Sequence, residues 1–189
     1  MYRALALKVL REGVELADDG AIKSLVDSSD IDLAEREGRS LVMLDGEEVS
    51  QLIRTPEVSQ MASKISALTV VRQKMLELQR ALGRRGGVVA EGRDIGTVIF
   101  PDAEIKVFLN ASVDERARRR FEELRAAGRP VNLTATRQEM EERDTRDSER
   151  DLAPLRMAPD ALAIDSSTLN AEAVARRVVE EIRKKTLAN

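Results

Sequence analysis

Apolar positions in the first part of the chain fall in helical steps. Leu5, Val9 and Leu10 line residues 2–16, with Val14 following Gly13, the spacing of an amphipathic helix. Asp18-Asp19-Gly20 interrupts it, and residues 21–28 read as a short second helix. Residues 31–37 and 39–44 read as two short strands. Asp45-Gly46, between Leu44 and Glu47, is a hairpin signal, because a type I′ turn needs positive φ at both central residues. A helix opens at Thr55-Pro56-Glu57-Val58, with Thr55 as N-cap and Pro56 in the first helical position, and runs to about residue 68. The next covers about 70–82 and stops at Gly83-Arg84-Arg85-Gly86-Gly87.

Beyond that break the pattern changes. Residues 88–90, 105–109 and 161–164 are apolar runs of the kind that form buried parallel strands. Each ends in polar residues: Glu91-Gly92-Arg93-Asp94, Asn110-Ala111-Ser112 and Asp165-Ser166-Ser167. Residues 112–150 are charged and helical, opened by the capping box Ser112-Val113-Asp114-Glu115. The last helix, about 170–185, sets Val174, Val178 and Ile182 on one face. Strands alternating with helices predict βαβ units and a parallel sheet. Ligands of such sheets bind beyond the carboxyl ends of the strands, where Arg93, Asp94 and Ser112 fall.

Composition narrows the chemistry. The 189 residues include no His and no Cys, which removes serine–histidine and cysteine–histidine catalysis and any thiolate or imidazole metal site. Without Cys there is no disulfide framework, and the expected setting is cytoplasmic. No apolar run approaches the roughly 20 residues that span a bilayer, so no membrane is expected. Of 31 basic residues only seven are Lys, and the remaining arginines offer planar forks that fit phosphate and carboxylate. Residues 111–156 hold eleven Arg and eleven acids. That balance, with a net charge of -3 and 2% aromatic residues, argues against a nucleic-acid-binding tail.

Most of those charges read as i,i+4 pairs on solvated helices, Arg119–Glu123 for example. Arg116, Arg119 and Arg120 stand apart because they follow a cap at a strand end. Arg143, Asp144, Arg146, Asp147 and Arg150 form a second dense group at helical spacing. Arginines carried on helices suit phosphoryl transfer, in which a protein mainly positions and neutralises phosphate oxygens.

Four motifs in register then become specific. Gly92-Arg93-Asp94-Ile95-Gly96-Thr97-Val98 with Phe100-Pro101-Asp102-Ala103 is one, and Arg143-Asp144-Thr145-Arg146-Asp147-Ser148-Glu149-Arg150 is another. Ile53-Arg54-Thr55-Pro56-Glu57-Val58 and Val71-Arg72 complete the set. Together they resemble the signature of bacterial cytidylate kinases. The resemblance implies an α/β P-loop nucleoside monophosphate kinase fold in one domain over 1–189. That fold has a parallel sheet, a small antiparallel nucleotide-binding insert at about 26–68 and a helical lid at about 112–150. It implies a monomer that transfers the γ-phosphoryl group of ATP, with Mg²⁺, to CMP or dCMP. By position, Ser63, Arg72 and Asp94 would read the cytosine. Arg3, Arg93 and Arg150 would hold the acceptor phosphate, and Asp147 with Arg143 would contact the sugar. Arg119, Arg120 and Arg143 would close over the transferring group.

One part of the family pattern does not occur in these 189 residues. There is no Gly-x-x-x-x-Gly-Lys-Ser/Thr, and Gly83–Gly87 lacks its spacing, lysine and hydroxyl. Met1-Tyr2-Arg3 resembles the end of a family stretch that follows the P-loop and the first two strands. The expectation is therefore a chain whose Met1 is internal to a longer reading frame, with those strands and the P-loop missing. A CMP-binding remnant without turnover is the alternative reading.

Overall fold

The computed structural model describes residues 1–84 and 86–188, with the side chains of 185–188 left out; Arg85, inside the predicted break, lies outside the described residues. The chain forms two compact units, Met1–Val88 and Val89 onward.

In the N-terminal unit, α1 (Tyr2–Glu12) ends at Gly13, whose φ of 64° is left-handed. Glycine adopts that conformation without a Cβ penalty. α2 (Asp19–Asp27) is capped by Asp18, whose Oδ1 accepts from the Ala21 amide at 2.9 Å. β1 (Ile31–Arg36) and β2 (Arg39–Leu44) pair antiparallel, Ile31 opposite Leu44. Glu37 and Gly38 turn between them, and Asp45-Gly46 turns from β2 into β3 (Glu47–Glu48). All four turn residues have positive φ, as the Asp-Gly signal requires.

α3 (Pro56–Ile65) starts as expected, the Thr55 hydroxyl accepting from the Val58 amide at 3.2 Å. It ends three residues before the expected boundary, because the Ser66 hydroxyl donates back to the Ser63 carbonyl at 2.8 Å and Leu68 is extended. α4 follows (Thr69–Gly83). Leu5 and Val9 of α1, Ile22 and Val26 of α2, Ile65 of α3, and Val71 and Met75 of α4 make the centre of one apolar core. Lys8 reaches from α1 to Asp45 at 2.7 Å and to the Ser28 carbonyl at 3.3 Å. Arg11 meets Glu47 through two hydrogen bonds of 2.6 and 3.0 Å. These contacts tie the β2–β3 turn to α1.

The C-terminal unit contains a parallel pair. β4 (Val107–Asn110) lies beside β5 (Leu162–Asp165), with Val107 opposite Leu162 and Asn110 opposite Asp165. The first of the three expected parallel strands does not form. Residues 88–90 are irregular, and Val89 is fully exposed at 101%. A strand persists by pairing its row of amides and carbonyls, and among the described residues β4 pairs with β5 alone. Arg93 and Asp94 therefore precede a π-helical turn (Ile95–Ile99) rather than follow a strand; such turns are rare.

The charged helical stretch expected over 112–150 consists of two helices that pack together, α5 (Val113–Ala126) and α6 (Leu133–Glu149). Gly128, with φ of 71°, separates them, and Asn132 caps α6 by accepting from the Ala135 amide at 3.0 Å. α7 (Ala171–Ala188) follows an Asn170 that accepts from the Ala173 amide at 2.8 Å. Its expected apolar face is only partly covered: Val174 and Val178 are half-buried and Ile182 is 40% exposed. Among the described residues no helix is long and apolar enough to cross a membrane.

Candidate functional site

The C-terminal unit gathers four arginines around two carboxylates. Asp147, 3% exposed, lies one helical turn beyond Arg143 on α6, and a carboxylate so buried must be paired. Arg93 Nε approaches its Oδ2 at 3.1 Å, Arg143 Nε lies 3.7 Å from the same oxygen, and Arg150 Nη1 lies 3.8 Å from Oδ1. Arg150 is itself fixed by Nε donating to the Ala153 carbonyl at 2.7 Å, and the Asp147 carbonyl accepts from the Leu155 amide at 2.7 Å. One turn earlier on α6, Asp144 accepts from Arg116 Nη1 at 2.5 Å and stands 3.6 Å from Arg93 Nη2. Arg93, Arg116, Arg143 and Arg150 against Asp144 and Asp147 leave a surplus of about two positive charges, a match for a dianionic phosphate.

Asp94, 7% exposed, sits beside Arg93, and its backbone carbonyl accepts amides from the π-helical turn. A Cβ on Gly92 would lie 2.8 Å from the Ile95 side chain, so glycine lets that turn close on the loop.

Arg119 and Arg120 are placed apart from this cluster. Arg119 donates to Glu115 at 2.7 Å, to the Ser166 hydroxyl and carbonyl at 3.2 and 2.5 Å, and to the Leu169 carbonyl at 3.1 Å. Arg120 pairs with Glu123 at 2.7 Å. The expected Arg119–Glu123 pair is thus replaced by Arg119–Glu115 and Arg120–Glu123. The capping box is half-formed as well. The Ser112 hydroxyl accepts from the Glu115 amide at 3.2 Å, while the Ser112 amide donates to the Ser167 hydroxyl at 2.9 Å and not to Glu115. Glu115 is held by Arg118 and then Arg119, whose hydrogen bonds lower its pKa from 4.5 to about 2. Arg118, Arg119 and the loop Ser166–Leu169 edge a groove of about 720 Å³ beyond the carboxyl ends of β4 and β5, with Leu109 and Val174 in its walls.

The site residues expected in the N-terminal unit cluster around α3. Arg3 reaches the Ile53 carbonyl at 3.3 Å and the Ser59 hydroxyl at 3.5 Å. Ser59 is one turn from Ser63 and so on the same face. Ser63 is buried. Its carbonyl accepts from the Ser66 hydroxyl, and the Ser66 carbonyl accepts from Arg72 Nη1 at 3.2 Å. Ser66 thus joins Ser63 to Arg72. Sequence reasoning did not single it out, and its only signal was a serine at a helix end. Asp144 lies in a signature motif and Arg116 follows a cap at a strand end, but their pairing with each other was not expected, because a contact across 28 residues leaves no periodic trace.

Among the described residues no three acidic side chains gather as metal ligands do. The 189 residues also contain no Gly-x-x-x-x-Gly-Lys-Ser/Thr to wrap a triphosphate. The arginine cluster carries the positive charge that a phosphate would need. The side chains present do not by themselves form a cradle for magnesium-bound ATP.

Comparison with known proteins agrees with this chemistry. The profile of the family described as "Cytidylate kinase" matches residues 1–184. The cytidylate kinase of Syntrophotalea carbinolica is 46% identical over 185 residues, 98% of this chain and 79% of the relative. That of Stutzerimonas stutzeri is 45% identical over 190 residues, covering 100% and 83%. That of Pelotomaculum thermopropionicum is 48% identical over 183 residues, covering 96% and 81%. With a profile match across nearly its whole length and relatives at this identity, the chain belongs to the cytidylate kinase family.

Proposed function

We propose that this chain carries the acceptor side of an ATP-dependent kinase reaction that converts CMP or dCMP to CDP or dCDP. The observation that carries the reading is the cluster of Arg93, Arg116, Arg143 and Arg150 on Asp144 and Asp147, whose surplus positive charge suits a nucleotide monophosphate. In the C-terminal unit, Arg93 and Arg150 hold the acceptor phosphate, Asp147 and Arg143 contact the sugar, and Asp94 reads the cytosine; in the N-terminal unit, Arg3, Ser63 and Arg72 are proposed as nucleotide contacts. Arg119, Arg120 and Arg143 supply charge to the transferring group, so the first two must leave Glu115, Ser166 and Glu123 to act. The chemistry asks for positioning and neutralisation and no proton shuttle, which agrees with a chain that contains no His or Cys. In this reading the protein acts in the cytoplasm on small molecules, as a monomer.

A second reading is favoured by the missing Walker sequence: these 189 residues bind CMP without turning it over. One assay separates the two. The chain is incubated with magnesium-ATP and, in turn, CMP, dCMP, UMP and AMP, and diphosphate formation is followed. Turnover selective for CMP or dCMP is the expected result for the kinase. CMP binding by calorimetry without product supports the second reading, and preferred turnover of UMP or AMP contradicts the assignment of the base.

A further inference from the structure

Asp144 belongs to no role assigned above, yet it touches both sides of the arginine cluster. Its two carboxylate oxygens are divided. Oδ2 is held by Arg116 Nη1 at 2.5 Å, and Oδ1 faces Arg93 Nη2 at 3.6 Å. Arg116 does not swing freely, because its Nε donates to the Ala111 carbonyl at 3.1 Å, just past the end of β4. A rigid strand end therefore fixes Arg116, Arg116 fixes Asp144, and Asp144 faces Arg93. Asp147 meets the same guanidinium at Nε, 3.1 Å away. Nε and Nη2 form one edge of a planar fork, an edge that does not include Nη1, and the two carboxylates stand along it as ion-pair partners at 3.1 and 3.6 Å, Asp147 Oδ2 accepting no hydrogen bond. The two carboxylates differ in exposure: the Asp147 side chain is 5% exposed, whereas that of Asp144 is 26% exposed.

We propose that Asp144, fixed by Arg116, is a positioning residue that orients the Arg93 guanidinium for the acceptor phosphate. The inference rests on the reading of Arg93 as a phosphate ligand. It opposes the simple electrostatic expectation. A carboxylate near an anion site repels the anion, so a merely neutralising Asp144 would weaken binding and its removal would strengthen it. A positioning Asp144 works the other way, because a misplaced fork loses its bidentate geometry.

The test is calorimetry of CMP and of cytidine with the full chain and its variants Asp144→Asn, Asp144→Glu, Arg116→Gln and Arg93→Gln. Asparagine matches aspartate in size at a partly exposed position, and thermal melting checks that each variant folds. Asp144→Asn is expected to weaken CMP about tenfold and leave cytidine unchanged. Asp144→Glu restores most of the loss. Arg116→Gln weakens CMP in the same direction and carries the test if Asp144→Asn does not fold. CMP binding to Asp144→Asn as tight as wild type, or tighter, overturns the inference while the phosphate reading stands. An Arg93→Gln variant that keeps the wild-type ratio of CMP to cytidine affinity, or a wild-type chain that binds no CMP, overturns the phosphate reading and the inference with it.

Discussion

Glu115 on α5 is bonded by two arginines of its own helix. Hydrogen bonds from Arg118 and then Arg119 bring its pKa from 4.5 to about 2. A carboxylate with a lowered folded pKa contributes stability that is complete above its unfolded value and is lost as pH falls through the folded one. Its contribution is thus present above about pH 4.5 and fades towards pH 2. NMR titration of the Glu115 carboxyl should give a midpoint near 2, moving up towards 4.5 in Arg118→Gln. A midpoint near 4.5 in the wild type would mean that the two arginines are not bound to it in solution. Gly13 is a residue of another kind. At φ of 64° a Cβ would meet nothing within 4 Å, so Gly13→Ala strains only the backbone. It should cost about 1 kcal/mol in denaturant unfolding. No loss would mean that α1 ends differently.

At the scale of elements, what the sequence made legible was local. Thr55-Pro56 is a cap whose side chain bonds the amide three residues on, a rule that needs no tertiary knowledge; Asp18 and Asn132 cap in the same way but were not read as caps. The Asp45-Gly46 turn is legible for the same reason. The error at 88–90 was tertiary. Val-Val-Ala has strand composition, but no neighbour among the described residues pairs with it. Val89→Ser should therefore leave unfolding free energy within about 0.5 kcal/mol of wild type. Ile164→Ala, in β5 at 1% exposure, should cost about 2–4 kcal/mol. Equal costs would show that 88–90 is buried in solution. The candidate site divides the same way. Arg93, Asp94 and Asp147 sit in motifs that the sequence displays, whereas the link from Ala111 through Arg116 to Asp144 exists only when β4, α5 and α6 are folded.

At the scale of the whole molecule, the proposed function has the chain recognise a nucleoside monophosphate chiefly by its phosphate. The N-terminal unit owes its order to one apolar core shared by α1–α4 and the hairpin. The smaller sheet of the C-terminal unit instead supports a charged site of six ionisable side chains, Arg93 among them. Such a site binds anions with an affinity that salt weakens. The most direct measurement is a calorimetric titration of the full chain with CMP and with cytidine at low and moderate salt. Charge-assisted hydrogen bonds to the phosphate predict CMP binding at least about tenfold tighter than cytidine, with the advantage shrinking as salt rises. Equal affinities at low salt would contradict the account.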